Sequence, residues 1–163
     1  MIQAITETAF STNISTEDNR IDTSVASTQI RFLVKFINDL DGSIDYCYPT
    51  LPIGIEPRYT LMTFTYPETR HPDDRYDGKI DLLPAGHWKY EVYEVSWIGT
   101  VAVGILTAPR NETDVLTVKD YNGVVQGIVS KGILNLTEKD GTEQVQYTQH
   151  AEPTETNYIY YGQ

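Results

Sequence analysis

Imidazoles, closely spaced carboxylates and tryptophans are the side chains of this sequence with chemistry to offer a reaction or a ligand. The histidines are His71, His87 and His150, each in a different stretch of the chain. A zinc site, or a catalytic base with its orienting partner, needs such groups to converge, and no local spacing brings these three together. Glu91 and Glu94, in GHWKYEVYEVSW, are the best candidates for the paired acids of a glycosidase. On a regular strand they point to opposite faces and cannot flank one bond unless a bulge realigns them. The plainer reading is two solvated acids on an edge strand. Trp88 and Trp97 in the same stretch are candidates for a carbohydrate platform, where exposed rings stack on sugar; packing a core is the commoner use of tryptophan.

Other chemistries fail on spacing. The one cysteine, Cys47 in DYCYP, has no second thiol for a disulfide or a zinc site and reads as a small strand residue. The stretch DLDGSID invites a calcium-loop reading, but with Gly42 in the glycine position the first and twelfth ligands would be Ile37 and Tyr48. Neither binds calcium, so a hairpin turn is expected instead. There is no Gly-x-Ser-x-Gly and no glycine-rich phosphate loop. The expectation is no enzyme, no cofactor and no metal.

Charge narrows the partners. With 12 Lys and Arg against 23 Asp and Glu, the formal net charge is -11, and no stretch gathers several basic residues, which argues against direct nucleic-acid binding. MIQAITETAF lacks the basic and apolar regions of a signal peptide, and no run approaches the length of a membrane span. Three Asn-x-Ser/Thr triplets, at Asn13, Asn111 and Asn135, therefore read as chance in a chain made in a cytoplasm.

The elements that must position these residues read as strands. The length of 163 residues suits one domain, without excluding a second small one. Residues 1–28 are rich in Ser and Thr and read as an extended arm with one short strand near Ile2 to Phe10. In TQIRFLVKFIN, Ile30, Phe32, Val34 and Phe36 share one face of a strand, with Arg31 and Lys35 on the other. Asn, Asp and Gly42 then turn the chain into SIDYCY as a hairpin. RYTLMTFTYP is partly apolar on both faces, which suits a strand inside a sandwich. In GHWKYEVYEVSW, Trp88, Tyr90 and Val92 share one face and Tyr93, Val95 and Trp97 the other, so a bulge or bend is expected between Val92 and Tyr93. IGTVAVGILT and DVLTVKD read as further strands, and VVQGIVS, GILNLTE and EQVQYTQ as strands of hairpins. The expected fold is all-β: an immunoglobulin-like β-sandwich over residues 29–107, after the arm of residues 1–28. A hairpin-rich C-terminal part, residues 108–163, packs on the same domain or forms a small second one.

Twelve tyrosines, against 4 Phe and 2 Trp, suit half-wet surfaces and interfaces. Several crowd the ending TNYIYYGQ, where Tyr158, Ile159, Tyr160 and Tyr161 need cover from this chain's sheet or from another molecule.

Two stretches, GKIDLLPAGHWKYEVYEV and KGILNLTEKDGTEQVQYTQHAEPTETNYIYYGQ, together resemble small virion proteins of tailed bacteriophages, including the crAss-like group. The pattern runs over residues 29–163, with specific matching confined to the two stretches, and carries no functional residue across. The resemblance implies a non-enzymatic structural component of the virion. Such a chain is made in the host bacterial cytoplasm as a capsid auxiliary, decoration or head-fibre protein, or a neck or tail ring subunit. It implies an oligomeric setting in the particle with capsid, portal, neck or tail proteins as partners, and no nucleic acid or membrane. Contacts are expected through Ile2, Ile5 and Phe10 in the arm and through Tyr158, Ile159, Tyr160 and Tyr161 at the end. The alternative is a β-sandwich module binding carbohydrate or a host surface through Trp88 or Trp97.

Overall fold

The computed structural model describes residues 1–51 and 59–140. Their regular structure is seven strands and three short 3-10 turns, with no α-helix among the described residues. The strands are β1 (Ile2–Ile5), β2 (Phe10–Ile14), β3 (Ile30–Asn38), β4 (Ile44–Cys47), β5 (Thr60–Phe64), β6 (Gly86–Ser96) and β7 (Val124–Thr137). Five form a mixed sheet in the order β1-β7-β6-β3-β4, antiparallel except that β1 runs parallel to β7; β2 and β5 form an antiparallel pair.

The expected β3–β4 hairpin is present. Gly42 adopts φ +73°, a left-handed conformation natural to glycine, and Oδ1 of Asn38 accepts the N–H of Leu40 at 2.7 Å to close the turn. Along β3, Ile30, Phe32, Val34 and Phe36 are buried as their alternation requires, and Leu33 on the opposite face is buried as well. The large sheet thus carries a core on each side. On one face Phe32, Phe36, Trp88, Val92 and Leu134 pack with Ile14, Met62 and Phe64 of the β2–β5 pair. There Phe64 stacks on Phe10 with centroids 4.9 Å apart and meets Phe36 edge-on at 5.5 Å. On the other face Leu33, Val95 and Trp97 pack with Tyr48, Tyr76 and Ala108.

A register shift lies between Val92 and Tyr93, where a bulge in this strand is expected from the apolar phase, and a second lies between Glu94 and Val95. The extra residues belong to β7: Val92 faces Ser130 and Tyr93 faces Ile128, which leaves Val129 unpaired. Strand β6 itself keeps its alternation. Its apolar phase changes because both faces are covered and the buried position at residue 94 is filled by a carboxylate.

Strand β7 unites VVQGIVS and GILNLTE, which read as separate hairpin strands. The two glycines inside this strand do not turn the chain. Gly127 sits at φ +151° beside the second shift, and Gly132 pairs with Tyr90, whose ring lies where a side chain would go. The region read as an arm supplies β1 and β2, because Ile2, Ala4 and Ile14 gain burial by completing the two sheets. IGTVAVGILT and DVLTVKD form no strands; with β7 already beside β6, they have no free edge of that strand to join. The expected strand EQVQYTQ lies outside the described residues.

Candidate interaction surface

Ser96 and Val124 are paired across β6 and β7, so the chain between them leaves the sheet and returns to the same place. A connection this long without regular structure is usually functional, and what matters is whether it is held in one shape. It is moored along its length. The N–H of Gly99 donates to Asp120 O at 2.9 Å, the N–H of Gly123 donates to Thr107 O at 2.8 Å, and Trp97 Nε1 donates to Tyr121 O at 3.1 Å. Tyr48 reaches from the sheet to donate its hydroxyl to Pro109 O at 2.8 Å, beside the fully buried Ala108.

A polar clamp fixes the middle. Lys35 Nζ on β3 lies 2.6 Å from Glu112 Oε1 and 3.8 Å from Glu91 Oε2 on β6. Tyr46 donates its hydroxyl to Glu112 at 2.5 Å, and Tyr93 donates to Glu91 at 2.7 Å. Tyr46 and Glu91 are the cross-strand neighbours of Lys35 on either side, so the sheet register builds the cluster. Burial, and then the adjacent Glu112, push the Tyr46 phenol well above its usual range; burial and Glu91 do the same to Tyr93. Burial would raise the Glu112 carboxyl, but the bonds from Lys35 and Tyr46 outweigh it and leave the group below its ordinary value. Both carboxylates and both phenols are engaged with one another or with the ammonium, an arrangement that holds a loop onto a sheet.

From this held base the loop presents apolar side chains to solvent. Leu106, Val115 and Val118 are 78%, 91% and 76% exposed, and Ile98 and Ile105 are also exposed. Scattered exposed aliphatics are ordinary; several on one moored connection are not. Reading the segment as two strands hid this surface, because its valines and isoleucines have strand preference. Glycines 99, 104 and 123 with Pro109 were the available signal for a long loop. The Lys35 clamp left no signal in sequence, since Glu112 lies 77 residues from Lys35.

The residues singled out from sequence fare differently. Trp88 and Trp97 are fully buried, and Trp88 donates its indole N–H to Pro84 O at 3.1 Å, so neither offers a face to a sugar. Their exposure as a ligand platform is corrected: both rings fill the two cores. Glu91 and Glu94 stand on opposite faces and share no cleft; Glu94 is buried with its oxygens on the N–H groups of Ile21 and Asp22. Ile2 packs into the core and Phe10 packs against it, which leaves only Ile5 of the three N-terminal candidates exposed. Tyr158, Ile159, Tyr160, Tyr161 and His150 lie outside the described residues. His71 and His87 are exposed, and among the described residues no group of three His, Cys, Asp or Glu could hold a metal ion. Cys47 is buried, with burial pushing its thiol well above the usual range. Among the described residues no helix is long and apolar enough to cross a membrane.

No family model, curated protein or solved structure matches this chain.

Proposed function

We propose that this chain is a non-enzymatic structural component of a bacteriophage virion, a capsid auxiliary or decoration protein or a neck or tail ring subunit that binds neighbouring virion proteins. The observation that carries the protein-binding part is the moored connection from Trp97 to Gly123, which holds Leu106, Val115 and Val118 out to solvent on a base fixed by Lys35 and Glu112. A preorganised apolar surface loses little freedom on docking, which favours a protein partner. The phage setting rests on the resemblance of the two sequence stretches. The partner surface this predicts is apolar with a basic rim, complementary to a chain of net charge -11. The proposal also takes the β2–β5 pair over the five-stranded sheet as a reduced immunoglobulin-like sandwich, supported by the core shared between the two layers. The carbohydrate reading loses its platform with the burial of both tryptophans.

The test is a triple variant, Leu106→Ser, Val115→Ser and Val118→Ser, supplied during infection by the phage that encodes the chain. The expected result is an unchanged unfolding midpoint with the protein missing from purified particles. Incorporation at the unmodified level would overturn the proposal.

A further inference from the structure

We propose that the cleft between β4 and the segment from Pro67 to Asp81 binds a small zwitterion, a molecule carrying an ammonium and a carboxylate on one short frame, such as an amino acid or a dipeptide. This goes beyond the structural role above and does not depend on it. The cleft encloses about 360 Å³, near the lower end of the range of roughly 300–1,000 Å³ typical of ligand sites. In a chain with only 12 Lys and Arg, three of them, Arg70, Arg75 and Lys79, line this one cavity. Asp45, Asp74 and Asp81 line it too.

Within the cleft, two of the cations are matched internally. Arg70 Nη2 lies 2.6 Å from Asp45 Oδ1, and Lys79 Nζ lies 3.4 Å from Asp74 Oδ1. Arg75 and Asp81 remain, and among the described residues neither stands in an ion pair with any partner. An unmatched guanidinium presents a planar fork of donors suited to a carboxylate. A simple anion would meet Arg75 but also feel Asp81, while a simple cation would meet the reverse. A ligand that carries both charges offers a counter-charge to each of these two lining residues, and on that ground we take the occupant to be a zwitterion.

The wall carrying Arg75 is preorganised. The 3-10 turn Asp74–Tyr76 is fixed by the Asp74 carboxylate, which accepts the N–H of His71 at 2.5 Å, and that bond holds the carboxyl below its usual range. The Arg75 carbonyl accepts the N–H of Tyr48 at 2.7 Å, and Tyr76 stacks on Tyr48 with centroids 5.9 Å apart. The guanidinium thus starts from a backbone that need not rearrange on binding.

The experiment is calorimetric titration of the full chain with glycylglycine and with L-alanine, against acetate and methylammonium as single-charge controls. A dissociation constant of about 1 mM or below is expected for at least one zwitterion, with neither control binding in that range. Arg75→Met and Asp81→Asn should each weaken binding by about tenfold or more, and Arg75→Lys by less. Each variant is compared at an unfolding midpoint measured without ligand, so that a loss of binding in a folded variant is read as loss of the contact. No zwitterion binding, acetate binding equal to that of glycylglycine, or full affinity in folded Arg75→Met would each overturn the proposal.

Discussion

Oε1 of Glu94 accepts the backbone N–H of Asp22 at 2.7 Å from a position only 1% exposed. Its other oxygen takes the N–H of Ile21 at 3.0 Å, so one carboxylate serves as acceptor for two consecutive amides of the strap between β2 and β3. The strap is pinned a second time by Asn19, whose side-chain amide donates to Val129 O at 2.9 Å. Val129 is the residue left over by the β7 register shift, and its spare carbonyl is what Asn19 uses.

Replacing Glu94 tests how much the strap relies on that acceptor. Glu94→Ala leaves two amides and a void and is expected to cost about 3 kcal/mol or more. Glu94→Gln keeps one oxygen but turns an amide donor toward a donor, with an expected cost of about 1–2 kcal/mol. Urea unfolding of both variants measures the difference; equal midpoints for Glu94→Ala and the parent chain would refute the assignment.

Acid should loosen the loop before it unfolds the sheet. The Glu112 carboxyl is lowered in the folded chain from its ordinary 4.5, so its contribution is fully present above about that pH. It is lost as pH falls through the lowered folded value. The protection factors of the amides of residue 108 and residues 110–114, with the intrinsic slowing of exchange by acid divided out, are expected to fall over that acid window. Glu112→Gln should lower those protection factors already at neutral pH and remove their change across the acid window.

Both tryptophans are expected to emit as buried indoles and to resist acrylamide in the folded chain, with full access only after unfolding. Quenching of either Trp88 or Trp97 at the rate of a free indole would place a ring on the surface and reopen the sugar-binding reading.

Gly123 tests the tightness of the second core. A methyl group there would come within 2.6 Å of Trp97 Cζ2 and 2.8 Å of Val95 Cγ1, both on buried side chains. Gly123→Ala is expected to destabilise by about 1–3 kcal/mol, read from the thermal midpoint. A methyl at Gly132 would meet the Tyr90 hydroxyl at 2.6 Å and its ring at 2.7 Å, yet Tyr90 is only partly buried and can swing aside, so the smaller loss is expected there.

What was legible in the sequence was the local pattern. Alternation placed Ile30, Phe32, Val34 and Phe36 in the core, and the Asn-Asp-Gly turn placed the hairpin, because both depend on neighbours a few residues away. The phase change at Val92 and Tyr93 coincides with a register shift, but the extra residue lies in β7 and β6 keeps its alternation, so the change comes from two covered faces and not from a bulge in β6. Nothing in one dimension marks Gly132 as a site of close approach; it becomes one only with Tyr90 beside it. The loop surface and the cleft were not legible, since Lys35 with Glu112 and Arg75 with Asp81 acquire meaning only from the folded path of the chain. Of the three residues expected at the N-terminal contacts only Ile5 is exposed, since Ile2 is buried in the core and Phe10, partly buried, packs against it.

The parallel pairing of β1 with the far end of β7 has a consequence for synthesis. Gln3 meets Asn135, a partner 132 residues away. At about 5–20 residues per second, roughly 7–26 s separate the appearance of the two at the ribosome. Throughout that interval β1 has no ladder to join, and Ile2 and Ala4 have no β7 to lie against. Strand β1 is therefore made long before it can be seated, and a nascent chain arrested before Leu134 carries β1 as an open β-edge.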